Sequence, residues 1–222
     1  MTTPTLETNR IILRPPSVED AQAAFNNWTS DPDVAKFVRW NTHETVDTTV
    51  EWLTYEVENI PKDNYFGWIF VLKETGELFG SGSVFLNDEE NRFEVGFCIM
   101  KKYWALGLTT EAARAMIDFA FKELKQTTLF IRHAKDNIGS AKVIAKLGFV
   151  YRGDGEYFSL DGKEKFECCD YMLTVQDNKC PNVPTCPCPK ADCQNHSKCC
   201  SCVVKHREGG NLPFCLRFIL EK

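Results

Sequence analysis

The chain has 222 residues, of which 43% are hydrophobic and 26% charged, so its composition is that of a globular protein and excludes a disordered or fibrous chain. No apolar run reaches the roughly eighteen residues of a membrane-spanning helix, and the polar residues 1–10 lack the apolar segment of a secretion signal. The formal net charge of −5 gives no reason to expect nucleic-acid binding, so we predict a cytoplasmic protein without a membrane or nucleic-acid partner.

The cysteines divide the chain at about residue 175. Of the eleven cysteines, Cys98, Cys168 and Cys169 precede this point, whereas eight crowd into residues 176–222 together with five of the ten prolines. The charge divides at the same point, because residues 176–222 carry +3 and the rest of the chain carries −8. We therefore predict a main domain over residues 1–175 and a cysteine-rich module over residues 176–222.

The first hundred residues predict helices followed by a run of three strands. Ser17 is placed to cap the first helix, with the Asp20 carboxylate facing its first free amides, and Thr45 caps a second helix with apolar residues at helical spacing. The predicted elements are a strand over 11–13, a helix over 17–28, a helical turn at 31–32, a helix over 45–60, and strands over 65–72, 78–86 and 92–100. Three consecutive strands with short turns imply an antiparallel meander.

After residue 100, helices alternate with strands. The pattern predicts helices over 110–125 and 139–147 and strands over 128–133, 149–157 and 166–173, with Gly148 ending the second helix in a left-handed conformation. A meander followed by alternating helices and strands indicates an α/β domain. We expect a mixed, mainly antiparallel sheet flanked by helices, followed by the small cysteine-rich C-terminal module.

The stretch from Glu94 to Ala112 leads from a strand through a turn directly into a helix. The free amides and the positive dipole end of a helix N-terminus suit a phosphate group, and Gly107 lets the backbone approach a ligand closely. Thr109 and Thr110 add hydroxyl groups at the start of this helix. An ordinary strand-to-helix connection has the same pattern, so this stretch alone leaves both interpretations open.

Two motifs follow each other in order and at suitable spacing. The first consists of Tyr103-Trp104, Gly107 and Thr110-Glu111-Ala112, and the second consists of Asn137, Ser140 and Lys146-Leu147-Gly148-Phe149. The opening stretch Glu7–Arg14 adds a first strand. With these motifs, residues 5–174 resemble the GNAT superfamily of acetyl-CoA-dependent N-acetyltransferases, most closely the branch that acetylates protein N-termini and small amines.

The resemblance implies a fold that splays apart at the strand before the glycine turn, with acetyl-CoA as co-substrate. Pantetheine would lie along Phe97, Cys98 and Ile99, beside a β-bulge near residues 96–98 that exposes unpaired amides. The pyrophosphate would lie on the backbone amides of Leu106, Gly107, Leu108, Thr109 and Thr110. Asn137 and Ser140 would lie near the pantetheine arm or the thioester.

The sequence departs from the family pattern at two places. After Trp104 the family usually has glycine or another small residue, then a basic residue, and ends the turn in Gly or Ala, whereas this chain has Ala105, Leu106 and Thr109. Lys101 or Lys102 would have to supply the missing positive charge. Many members have a tyrosine two residues before the Lys-Leu-Gly-Phe lysine, as an acid for the leaving thiolate, but this chain has Ile144. Ser140 is the substitute implied by the resemblance.

The implied reaction is direct attack of a neutral primary amine on the thioester in a ternary complex. An α-amino group, with a pKa of about 7.7–8.0, needs less help to lose its proton than a lysine at about 10.4. Glu94 is the predicted base, acting through water, with a solvated strand residue as the alternative. Cys98 could form an acetyl-cysteine or be a buried apolar residue, and His133 could be functional or structural. Four aromatic residues could line an acceptor cleft or belong to the core, namely Trp40, Tyr65, Phe66 and Trp68.

The C-terminal cysteines and histidines indicate a metal site. Zinc prefers thiolate and imidazole ligands, and a reducing compartment makes disulfides less favourable than metal. The candidate ligands are Cys186, Cys188, Cys193, His196, Cys199, Cys202 and His206. An iron–sulfur cluster, disulfides and free thiols remain as alternatives, and the module could bind a protein partner.

Two alternatives to an active acetyltransferase stay open at this point. The first keeps the fold without catalysis, as a CoA-binding or sensing module, and the altered turn and Ile144 support it. The second is a metal-dependent interaction protein that acts through residues 176–222. The amine acceptor, whether a protein N-terminus or a small molecule, has no decisive pattern in the sequence.

Overall fold

The structure is a computed structural model that describes residues 2–174 and residue 205. Its helices are α1 (Ala21–Ala24), α2 (Pro32–Ala35), α3 (Val46–Asn59), α4 (Leu108–Lys122) and α5 (Ile138–Leu147), with 3₁₀ turns at Val18–Asp20 and Lys101–Tyr103 and a π-helical turn at Phe25–Thr29. Its strands are β1 (Leu6–Glu7), β2 (Ile11–Arg14), β3 (Tyr65–Leu72), β4 (Leu78–Asn87), β5 (Arg92–Ile99), β6 (Thr128–Ala134), β7 (Val150–Phe158) and β8 (Lys165–Thr174).

The described strands form one eight-stranded sheet in the order β1-β2-β3-β4-β5-β6-β8-β7. Neighbouring strands are antiparallel except β5 and β6, which are parallel. The parallel pair is the point where the meander β3–β5 gives way to the alternating elements of the second half. This arrangement confirms the predicted α/β class with a mixed, mainly antiparallel sheet flanked by helices.

The first helical region begins where the sequence predicts. Ser17 Oγ accepts a hydrogen bond from the Glu19 amide, and the Asp20 carboxylate accepts one from the Ser17 amide at 2.9 Å, which makes a capping box. The region then changes from a 3₁₀ turn to α1 and to a π-helical turn that ends at Thr29. Thr45 is the N-cap residue of α3 as predicted, although its side chain makes no capping hydrogen bond.

The core has two parts, one on each face of the sheet. Met116 and Phe119 of α4 pack with Val95 and Ile99 of β5 on one face. Trp28 and Leu53 belong to a second apolar cluster, in which Cys98 is partly buried. Because successive side chains of a strand point to opposite faces, Glu94 and Cys98 lie on the face opposite Val95 and Ile99. The face with Glu94 is the one that α1 and α3 cover.

The cysteine-rich residues 176–222 lie outside the described residues, apart from residue 205. The predicted boundary at residue 175 and the predicted metal-binding module therefore stay predictions. Among the helices that the structure describes, none is long and apolar enough to cross a membrane.

Candidate active site

The parallel strands β5 and β6 separate almost as soon as they meet. They pair only at Phe93–Leu129 and Glu94–Phe130, and beyond these pairs β5 continues beside β4 to Ile99 while β6 continues beside β8 to Ala134. The edge of β5 over residues 95–99 therefore faces a gap and not a strand. Backbone amides and carbonyls on such an edge can pair with an extended ligand, although the Ile99 carbonyl already accepts a hydrogen bond from Trp104 Nε1 at 3.0 Å.

The predicted bulge near residues 96–98 is wrong. The register between β4 and β5 runs without a shift from Gly80–Ile99 to Asn87–Arg92. The open edge arises because β5 and β6 follow different neighbours, so no extra residue in β5 is needed.

A cavity of about 280 Å³ opens at this gap. Five of the residues predicted from the sequence line it, namely Glu94, Phe97, Cys98, Asn137 and Ser140. They come from a strand and from the start of a helix forty residues later in the chain. The fold therefore brings the two sequence motifs together around one cavity.

A floor of small residues crosses three strands under the cavity, and two of its three members, Ser83 and Gly96, line the cavity. Gly67 of β3 is opposite Ser83 of β4, which is opposite Gly96 of β5. The adjacent row consists of Tyr65, Phe85 and Glu94. Without large side chains in the first row, the sheet leaves space above it. Glu94 stands at the β5 end of the floor.

Glu94 is partly buried at the point where β5 and β6 separate. Its Oε2 accepts a hydrogen bond from Asn87 Nδ2 at 2.6 Å. Burial raises the pKa of Glu94 above its ordinary value, and the Asn87 amide and the positive charges of Arg132 and Arg39 oppose the rise. Such a carboxyl group is a stronger base than an exposed glutamate, and its environment differs from that of a solvated strand residue.

Asn137 and Ser140 begin helix α5 beside the cavity. Asn137 is the N-cap residue, and its Oδ1 accepts a hydrogen bond from the Ser140 amide at 3.0 Å. Within the described residues, no hydrogen bond involves the Ser140 hydroxyl, so this group is available to a ligand. Ile144 is fully buried and also lines the cavity. An apolar side chain thus occupies position 144, where the resemblance implies a tyrosine acid.

Cys98 and His133 line the cavity but are already engaged. Burial raises the pKa of the Cys98 thiol, whose sulfur lies 3.5 Å from Ser81 Oγ, so the thiolate of a covalent route is disfavoured. His133 Nδ1 lies 2.8 Å from the Ala134 carbonyl oxygen, and its Nε2 lies 3.1 Å from the Tyr171 hydroxyl. With both ring nitrogens paired, His133 has the surroundings of a structural histidine.

The turn before α4 does not line the cavity but follows directly from the open strand. Gly107, with φ +79°, is the N-cap residue, and the helix begins at Leu108, two residues before the predicted start. Thr109 and Thr110 are therefore in the first helical turn and are not caps. The first hydrogen bond of the helix runs from the Glu111 amide to the Gly107 carbonyl at 3.1 Å. The amides of Leu108, Thr109 and Thr110 precede it, and no side chain caps them.

The positive charge beside this turn comes from an unexpected residue. Lys101 pairs with Asp33, and Lys102 donates to Glu77 at 2.7 Å, so both predicted lysines are engaged with carboxylates. Arg10 Nη1 instead donates to the Leu106 carbonyl at 3.2 Å. Arg10 also pairs with Glu111 at 2.7 Å, which links the residue before β2 to the first turn of α4. No sequence motif indicated this contact, because about a hundred residues separate the partners.

Sequence reasoning also missed Glu56 of α3, which lines the same cavity. Glu56 is only 9% exposed, and its Oε1 accepts hydrogen bonds from Tyr65 Oη at 2.6 Å and from Trp52 Nε1 at 3.0 Å. Helical spacing offered a signal, because Thr49, Leu53 and Glu56 share the buried face of α3.

Among the described residues, no group of three or more His, Cys, Asp or Glu side chains is placed to hold a metal ion. The seven proposed zinc ligands, from Cys186 to His206, lie outside these residues.

Comparison with known proteins identifies the family. The sequence model of the GNAT acetyltransferase domain matches residues 10–150. The uncharacterized N-acetyltransferase p20 of Bacillus licheniformis is 27% identical over 150 residues, which are 67% of this chain and 84% of that protein.

Solved structures agree in fold. The ribosomal-protein-S5-alanine acetyltransferase of Vibrio fischeri is similar with a TM-score of 0.67 and 22% identity, over 78% of this chain and 98% of that one. The microcin C7 self-immunity acetyltransferase MccE, solved with acetyl-CoA and AMP, is similar with a TM-score of 0.66 and 14% identity, over 76% and 94%. Because the domain match spans more than half of the sequence, and the splayed strands and the turn before α4 lie within it, the chain belongs to the GNAT acetyltransferase family.

Proposed function

We propose that this protein transfers an acetyl group from acetyl-CoA to a primary amine by direct attack in a ternary complex. The observation that carries the proposal is the gap between β5 and β6, which opens into a cavity lined by Glu94, Asn137 and Ser140. The family supports acyl transfer, and MccE, a structural relative, was solved with acetyl-CoA.

Acetyl-CoA would bind along the open edge of β5 and at the start of α4. Pantetheine would pair with the backbone of Phe97, Cys98 and Ile99, where none of the described strands pairs with β5 on the β6 side. The pyrophosphate would bind at the turn over Leu106, Gly107, Leu108, Thr109 and Thr110, where free amides and the helix dipole favour an anion. The Arg10 guanidinium, which donates to the Leu106 carbonyl, would support this site with its positive charge, although Glu111 offsets part of that charge.

Glu94 would accept the proton of the attacking amine through a water molecule. Its raised pKa makes it more basic than an ordinary glutamate while leaving it ionised above that pKa. Holding the amine and the thioester in contact supplies the larger part of the rate, since effective molarities are worth about 7–11 kcal/mol.

Ser140 would donate a hydrogen bond to the thioester oxygen or a proton to the leaving thiolate. Its hydroxyl is free of protein partners in the described part of the chain and lines the cavity. A thiolate, whose parent thiol has a pKa of about 8.5, leaves without strong acid assistance. A serine in place of the usual tyrosine acid is therefore compatible with turnover.

The acceptor belongs to the class of primary amines, either a protein N-terminus or a small molecule. The Vibrio fischeri relative is described as acting on an alanine of ribosomal protein S5, which favours an N-terminus. The cavity of about 280 Å³, with Trp40, Tyr65 and Trp68 in its walls, favours a small amine.

The test is release of free CoA from acetyl-CoA in the presence of a panel of primary amines, with acetyl-CoA binding measured separately by calorimetry. Binding with amine-dependent CoA release supports the proposal. Binding without release for every amine contradicts it and favours a CoA-sensing module, for which the apolar Ile144 is the supporting observation.

The cysteine-rich residues 176–222 would hold zinc and recognise a protein partner. The support is the set of thiol and imidazole residues from Cys186 to His206, which suits zinc. Elemental analysis of the full chain after anaerobic purification tests this proposal. Less than one zinc per chain contradicts it, and deletion of residues 176–222 shows whether turnover needs them.

A further inference from the structure

Glu56 is a buried carboxylate that the proposed transfer of the acetyl group does not use. It comes from the inner face of α3 and reaches the β3 end of the small-residue floor, where it is 9% exposed. Both of its hydrogen-bond donors, Tyr65 Oη and Trp52 Nε1, act on the same oxygen, Oε1. Among the described residues, no donor is paired with Oε2, while the side chain lines the cavity.

The sheet makes room for this carboxylate. A Cβ atom at Gly67 would lie 2.4 Å from Glu56 Oε2, closer than nonbonded atoms approach each other. Oε2 therefore lies directly above the floor row that Gly67, Ser83 and Gly96 form. Any larger residue at position 67 would displace it.

The two carboxylates of the cavity have different electrostatic surroundings. Arg132 and Arg39 act on Glu94, whereas burial, Tyr65 and Trp52 account for the environment of Glu56, with no cation among them. Arg132 is held by Glu90 and Asp170 at 3.4 Å, and Arg39 donates to the Phe158 carbonyl at 3.1 Å. Within residues 2–174, the Glu56 end of the cavity is thus an acidic site without a positive partner. A buried carboxylate in this situation favours a cation as its partner.

Aromatic side chains complete this end of the cavity. Trp40, Trp52 and Tyr65 line it together with Glu56. Burial and the neighbouring Glu56 raise the pKa of Tyr65, which therefore stays a neutral hydrogen-bond donor. Aromatic faces beside a carboxylate are the usual surroundings of a bound ammonium group, since both attract positive charge.

The spacing of the two carboxylates suits a short acceptor. Gly67 and Gly96 are two strand spacings apart, which is about 10 Å, and Glu94 and Glu56 stand near the opposite ends of that span. Glu56 is close enough to Cys98 for its charge to raise the pKa of that thiol, so the site lies near the strand along which the thioester would lie. One molecule with two amino groups can reach both ends.

We infer that Glu56, with Trp52, Tyr65 and Trp40, binds a second, protonated amino group of the acceptor, so that the substrate class is a small aliphatic diamine or polyamine. This inference rests on the proposed function, because it names the substrate class of that same cavity. One amino group is held as an ammonium ion at Glu56, while the other attacks the thioester near Glu94.

The test compares 1,4-diaminobutane with butylamine, which has the same length and lacks the second charge. Binding to the full-length protein saturated with CoA is followed by calorimetry and tryptophan fluorescence, so neither readout requires turnover. The diamine should bind at least tenfold more tightly than butylamine. Glu56→Gln should weaken binding of the diamine at least tenfold and remove this preference. Glu58→Gln, an exposed position on the same helix, should behave as the wild type.

A second variant moves the Glu56 carboxylate without removing its charge. Gly67→Ala leaves Glu56 in place but displaces its carboxylate, and should reduce the preference for the diamine. In turnover assays, Glu56→Gln should raise KM for the diamine while kcat stays within twofold. Equal binding of the two amines to the wild type, or an unchanged preference in Glu56→Gln, overturns the inference. A diamine that binds through Glu56 but is never acetylated refutes the proposed function instead.

Discussion

The two ends of the cavity each present a buried carboxylate, but the fold prepares them for different tasks. Glu94 has an amide donor and two arginines within electrostatic reach, so its negative charge is partly compensated before any ligand arrives. Glu56 has a phenol and an indole as its donors and no cation among the described groups that act on it. Burial alone therefore does not define the role of a carboxylate group. A compensated carboxylate is suited to gain and lose a proton, whereas an uncompensated one is suited to bind a cation.

The largest expected effect is the loss of activity when the carboxylate at the Glu94 end of the cavity is removed. Glu94→Gln should lower kcat/KM about 10²–10⁴-fold at neutral pH, because general base catalysis contributes that much to the rate. The steady-state rate of CoA release with a reactive amine measures it. Glu89→Gln, an exposed position in the turn between β4 and β5, is the control and should keep the wild-type rate. An unchanged rate in Glu94→Gln would remove the assignment of Glu94 as the base.

The pH dependence should show which carboxylate titrates during turnover. Burial raises the pKa of Glu94 above its ordinary value, and the base works only when ionised. The ratio of the wild-type rate to the Glu94→Gln rate should therefore rise with pH through that raised pKa and become constant above it. Taking the ratio removes the titration of the acceptor amine, which is common to both proteins. A ratio that stays constant over the whole range would contradict the account.

A smaller effect is expected at Ser140. Ser140→Ala should lower kcat by about tenfold, below the usual range for a general acid, because a thiolate leaves with little help. Acetyl-CoA binding should stay within twofold, since the Asn137 cap involves the Ser140 amide and not its side chain. Rates of CoA release under saturating acetyl-CoA measure the effect. A loss as large as that of Glu94→Gln would show that the acid and not the base limits the reaction.

The smallest expected effect concerns stability at the Glu56 end. Because burial raises the pKa of Glu56, the folded state binds its proton more tightly than the unfolded state does. The contribution of Glu56 to the stability of the folded state is therefore lost as the pH rises from the pKa of this group in the unfolded state through its higher pKa in the folded state. Glu56→Gln should raise Tm by a few degrees at pH 7, and the gain should vanish at acidic pH. Scanning calorimetry of the unliganded full chain at several pH values measures it. A lower Tm at pH 7 would show that Glu56 has a positive partner in the free protein.

Much of the fold follows from local patterns in the sequence. The predicted strand over 65–72 matches β3 exactly, and α5 lies between Asn137, whose side chain caps it, and Gly148, whose φ of +85° ends it. These elements are predictable because turn and cap residues determine them locally. Helix α4 begins two residues early because the left-handed Gly107, and not a threonine, is its cap.

The site was predictable only in part, because its geometry depends on contacts between distant residues. Glu94 and Ser140 were predicted from the sequence as site residues, and both line the cavity. The predicted bulge was wrong because the gap beside β5 arises from the pairing of β6 with β8. Strand β8 begins thirty residues after β6 ends, so no local pattern near β5 indicates this pairing. Arg10 and Glu56 were missed because their contacts are with distant residues. No local pattern links Arg10 to the Leu106 carbonyl, or Glu56 to the space above Gly67.

We expect acetyl-CoA to occupy the gap between β5 and β6 with its pyrophosphate at the turn around Gly107. Calorimetric titration of the full chain with acetyl-CoA tests it most directly, together with the thermal shift that the ligand produces. One molecule should bind per cavity and raise Tm, and Gly107→Ala should bind acetyl-CoA more weakly than Gly162→Ala does. Gly162 also has a positive φ and lies between β7 and β8. Absence of both binding heat and stabilisation, or equal binding in the two variants, would contradict it.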